Sequence, residues 1–144
     1  MANPFLVLGG IAVAVIVSAV GIVNVPGWVD AAHDAAAIHD LSAVTDVQAA
    51  ANSMGGQAQS SMEDLVRWAR EHGMTMTASE GPDTMTSSNE HAFGVISVSQ
   101  TGRAYGQVNG GLKYQGASMS DLIRNEAFAC EWVDAGLSDI GVVC

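Results

Sequence analysis

The chain has 144 residues, with 15 acidic and 5 basic side chains and a formal net charge of −10. No cationic surface exists to release counterions from phosphates, so charge excludes nucleic acid and anionic headgroups as partners, and the length holds one compact domain. Hydrophobic residues make up 49% and charged residues 14%, against roughly 25% charged in a soluble globular chain; the deficit sits at the N-terminus.

From Phe5 to Val23 the sequence is FLVLGGIAVAVIVSAVGIV, with no charge and Ser18 as its one polar side chain. As an α-helix it spans about 28 Å, close to the thickness of a bilayer's hydrocarbon core. It is expected to anchor in a membrane or form the core of a filament, with Phe5, Leu6, Leu8, Ile11, Val13, Val15, Ile16, Val20 and Ile22 as its apolar surface. A secretory signal peptide would want a cationic start, a shorter apolar run and a small-residue cleavage site, whereas Met-Ala-Asn-Pro carries no Lys or Arg. All five cations (Arg67, Arg70, Arg103, Lys113, Arg124) lie beyond position 66, and Asp30, Asp34, Asp40 and Asp46 follow the apolar run. Because Lys and Arg set orientation from the cytoplasmic flank, the acidic bulk is expected outside. A cationic leader removed from ahead of Met1 would account for the missing signal.

Pro26 and Gly27 are expected to break or kink the helix. Trp28 suits a membrane interface or a packing contact equally. Beyond it an alanine-rich stretch resumes the helix, and Ala37, Leu41, Val44, Val47, Ala51 and Met54 recur at gaps of three and four, one stripe that packs on a head domain. Asp34, Asp40 and Asp46 are placed off that stripe. The organisation predicted is a helix over 1–54 and a small globular head over 55–144.

Within the head, Gly55-Gly56 ends the helix, and Ser60 with Glu63 has capping-box spacing for a second one, closed by Gly73. A short strand and an exposed loop are expected over 75–89, and a hairpin around Thr101-Gly102. A third strand is expected over 111–116, a helix over 118–134, and a last strand in the tail Ile-Gly-Val-Val-Cys. The fold class expected is α+β, a long helix packed on a small antiparallel sheet.

The only two cysteines, Cys130 and Cys144, are permitted to pair in an exported chain, closing a loop worth roughly 3 kcal/mol in the chain-entropy model. His33, His39, His72 and His91 match no metal-binding spacing, and no P-loop, GxSxG or GxGxxG appears. The expectation is therefore no catalytic residue, no metal and no cofactor.

Taken together, these features resemble the type IV pilins and pilin-like proteins. In that family an apolar N-terminal helix first anchors in the membrane and is then buried in a filament, a proline stands at the twenty-second mature position, and a disulfide closes the C-terminal region. Counting from Phe5, Pro26 occupies that position. Gly9 stands where the family carries a glutamate, and Pro4 stands where it carries the glycine before its cleavage site. The resemblance implies a homo-oligomeric helical filament at the cell surface, held in the inner or cytoplasmic membrane before assembly and met there by assembly machinery. The alternatives are a minor pilin or pseudopilin of a secretion or DNA-uptake system, and a single-pass membrane-anchored binding or virion protein.

Overall fold

A computed structural model describes residues 4–54, 57–142 and 144, with side chains from Gly27 onward. The chain forms two compact units, Met1–Ala32 and His33–Cys144, so the boundary expected between 54 and 55 is not where the structure divides. Helix α1 runs Pro4–Ser53. Pro26 and Gly27 do not end it: a proline gives up one backbone bond and can bend a helix without terminating it. Among the described residues no helix is long and apolar enough to cross a membrane. The expected filament-core side chains, Phe5, Leu6, Leu8, Ile11, Val13, Val15, Ile16, Val20 and Ile22, lie outside that description.

The second unit is α+β. After α1 come α2 (Met62–Glu71), four strands β1 (Asp83–Ser88), β2 (Phe93–Val98), β3 (Ala104–Val108) and β4 (Lys113–Gly116), then α3 (Met119–Ile123) and α4 (Glu126–Asp134). The strands form one antiparallel sheet in chain order. The β3–β4 turn is built by Asn109 at φ 50° and Gly110 at φ 71°, the pair of positive angles a tight hairpin turn of matching twist requires. Asn109 also ties the turn back to β2, its Oδ1 accepting from the Phe93 N–H at 2.9 Å.

Strand alternation sends the sheet's side chains to two cores. On one face Phe93, Val95 and Tyr105 pack with Ala37, Leu41, Val44 and Val47 of α1 and Leu65 and Ala69 of α2. On the other, Ile96, Ala104 and Val108 pack with Leu122 of α3 and with Phe128 and Trp132 of α4. The sheet is thus covered twice, a second helical layer that the sequence reading did not foresee. Glycines make room for it. A Cβ at Gly94 would overlap Trp132 and Leu137, and one at Gly106 would stand 2.6 Å from the Phe128 ring.

Several local expectations need correction. Met54 is 66% exposed, although Ala37, Leu41, Val44, Val47 and Ala51 are buried; α1 stops at Ser53, so the last stripe position has no helix to hold it. The cap of α2 is Ser61, not Ser60: its hydroxyl accepts from the Asp64 N–H at 3.2 Å and donates to the Asp64 carboxylate at 2.7 Å. Half of the expected exposed loop is β1, paired with β2 over its whole length. The expected helix over 118–134 is two, because the Asn125 side chain accepts from the Phe128 N–H at 3.2 Å and starts α4 afresh. Ile140, Gly141, Val142 and Cys144 are in no strand; the tail is tied to α4 by the Cys130–Cys144 disulfide.

Gly94→Val should overpack the α4 side of the sheet, where such insertions cost about 1–3 kcal/mol or more. Denaturant titration of the full chain followed by near-UV circular dichroism checks this; an unchanged midpoint would contradict the close approach of Trp132.

Candidate functional site

The residues that organise the head are polar and lie along α1. Positions seven apart on a helix drift only slightly around its surface, so the buried side of α1 resolves into three columns: Asp34, Leu41 and Gln48; Ala37, Val44 and Ala51; Asp40 and Val47. All eight are buried. Alanine, leucine and valine there need only apolar contact, whereas Asp34, Asp40 and Gln48 each require a partner, since a buried unpaired polar group is costly.

Each one finds partners on a different element. Asp34 meets the β2–β3 turn, accepting from the Thr101 hydroxyl at 2.6 Å and from the Arg103 guanidinium at 3.0 Å. Asp40 meets the segment between α2 and β1, accepting from the Ser79 N–H at 2.9 Å and the Ser79 hydroxyl at 2.8 Å. The Gln48 amide, fully buried, donates to the Gln59 carbonyl at 2.6 Å and to the Thr86 hydroxyl of β1 at 2.7 Å, while its oxygen accepts from the Gln59 N–H at 2.8 Å. Two outer contacts complete the seam: Thr45 donates to Gln107 of β3 at 3.3 Å, and Lys113 of β4 donates to Ser42 at 2.7 Å. Among the described residues no buried side-chain nitrogen or oxygen lacks a partner.

Burial by itself would raise the Asp34 carboxyl. Hydrogen bonds from Thr101 and Ser99 and the Arg103 guanidinium outweigh it and hold the group below its ordinary value. Tyr105 is pushed up by burial and by the nearby Asp34 carboxylate. Tyr114 is pushed up chiefly by its hydrogen bond to Glu131.

The carboxylates of this seam are spent as acceptors of local hydrogen bonds. The four histidines are not brought together as ligands: Nδ1 of His72 lies 2.8 Å from the Trp68 carbonyl and the ring stacks on that indole, while His39 lies beside Asp40 at 3.3 Å. Among the described residues no group of three or more His, Cys, Asp or Glu could hold a metal ion. What the arrangement does is fix α1 to the head by side chains reaching into all the surrounding strands and loops. The sequence reading placed Asp34 and Asp40 off the packed stripe and passed over Gln48. Their seven-residue spacing from Leu41 and Val47 was the available signal.

No family model, curated protein or solved structure matches the chain.

The sign of the Asp34 effect gives a pH test. A carboxyl lowered in the folded state contributes stability fully present above its unfolded value of about 3.9 and lost as pH falls through the folded value. Asp34→Asn should therefore cost about 1.5–3 kcal/mol at pH 7, the worth of hydrogen bonds to a charged group. That gap should narrow once the pH is taken well below about 4. Urea unfolding of both proteins at pH 7 and pH 3 measures it, and a gap independent of pH would remove Asp34 from the seam's electrostatics.

Proposed function

We propose that the chain is a structural subunit of an extracellular, type IV pilus-like filament assembled through its hydrophobic N-terminal helix. The observation that carries this reading is α1. Its first half is free of charge from Phe5 to Val23, and its second half is bolted into an α+β head by apolar columns and buried polar anchors. A helix held this way is suited to transmit load between a polymer core and the domain that coats it. The uncharged run would bury apolar area at roughly 25 cal/mol per Å² against other copies, with no desolvation of charge opposing it. Head-to-tail contacts of that kind are heterologous and propagate a helical polymer.

On this reading the chain is not an enzyme, binds no cofactor, and has other copies of itself as its main partners. It passes through the inner or cytoplasmic membrane, meets assembly machinery there, and ends at the cell surface. Gly9 in place of the family's glutamate favours a minor or tip subunit as the second reading.

Val15→Asp should abolish fibres while the head stays folded, because a buried carboxylate in a close-packed apolar core costs several kcal/mol. Electron microscopy of sheared material and near-UV circular dichroism of the detergent-extracted chain provide the two readouts. Fibres at normal yield from the variant would sink the proposal, as would an unsubstituted chain found only as single molecules in detergent.

A further inference from the structure

The head carries two unlike surfaces on opposite sides of its sheet, and their chemistry matches. On the α2 side, Val66 and Arg70 are one helical turn apart and share a groove with Met74 and Met76. Arg70 is the only charged residue lining that groove, and among the described residues it enters no ion pair. In a chain of net charge −10, an apolar channel edged by a single free cation selects an occupant that presents an apolar side chain beside a carboxylate.

The exposed large hydrophobics are Trp28, Val29, Ile38, Met54, Leu112 and Val133. Leu112 precedes a lysine, and Met54 has no acid beside it. Ile38 lies near only Asp40, which is buried and already bonded to Ser79. Trp28 and Asp30 are two residues apart on α1 and so point to different sides. Val133, 46% exposed, is left. It sits at the C-terminal end of α4 beside the exposed Asp134, on a helix whose sequence EAFACEWVD holds three acids and no base.

We infer that α4 of one copy docks on the α2 groove of the next, with Val133 against Val66 and the methionines, and Asp134 facing Arg70. The methionines are suited to this, being unbranched and adaptable at contact surfaces. Because α2 and α4 cover opposite faces of the same sheet, the contact is head-to-tail and leaves both surfaces open at the ends of any string of copies, the geometry of an open polymer. The inference rests on the filament reading and adds to it a specific contact between heads, with a second copy of this chain as the partner.

Charge reversal tests it on the full chain. Arg70→Glu alone, or Asp134→Arg alone, sets like charges across the contact and should lower the yield of sheared fibres about tenfold or more. The double variant Arg70→Glu with Asp134→Arg restores opposite charges and should recover the yield. Near-UV circular dichroism confirms that each head folds, both sites being exposed. Fibres from the single variants at the unsubstituted yield, or folded double variants that fail to recover, overturn the contact and leave the filament reading standing. No fibres from the unsubstituted chain overturn both.

Discussion

The head depends on one constraint, that three polar side chains of α1 are buried where only a complete set of partners makes burial tolerable. Asp34, Asp40 and Gln48 reach, respectively, the β2–β3 turn, the segment leading into β1, and the link from α1 to α2 together with β1. Leaving any of them unpaired costs more than the bond it makes is worth, because desolvation is then uncompensated. The helix therefore docks only on a head whose loops already stand in place, and those loops are in turn held by the helix. Apolar burial drives the association, and the polar anchors decide its geometry.

That division of labour matters for register. The apolar residues of α1 recur so regularly that sliding the helix by one turn would still set alanine, leucine and valine against the sheet. The same slip would strip Gln48 of three hydrogen bonds and pull Asp34 from Arg103. Hydrophobic contact is nearly indifferent to such a shift, being non-directional, whereas hydrogen bonds fail within a fraction of an ångström. Resistance to axial sliding is what a helix needs if force along it is to reach the head. The opposite face is set more rigidly still, by Trp132 and Phe128 lying against strand glycines and by the disulfide that ties the tail to α4.

Much of this was legible in the residues, for identifiable reasons. The hairpin around Thr101-Gly102 and the α1 stripe announce themselves through period and turn chemistry, which are local. The split between α3 and α4 was hidden because Met119, Leu122, Ile123, Ala127 and Cys130 keep helical spacing across it; only the Asn125 side chain, capturing the Phe128 N–H, interrupts the backbone. Asp34 and Asp40 were set aside because carboxylates are seldom buried without a partner, and the partners lie 67 and 39 residues away along the chain. Such pairing is a tertiary fact with no trace in a local window. The second helical layer was missed for a related reason. Gly94 and Gly106 look like weak strand residues, and they become meaningful only once an aromatic ring is known to press on them.

Electrostatics closes the argument. Of the five cations, Arg103 is bound to Asp34 and Arg67 to Asp64, so most of the acidity is left uncompensated at the surface. Heads brought side by side would repel at long range, but at physiological salt that repulsion fades beyond about 8 Å. Attraction at contact is then decided by the few groups that meet directly. A cation left unpaired in an apolar groove is worth more to such a contact than its single charge suggests, because everything around it has the opposite sign. An acidic coat that keeps strings of copies apart, and a sparse set of free cations that chooses how copies within one string meet, are compatible uses of the same composition.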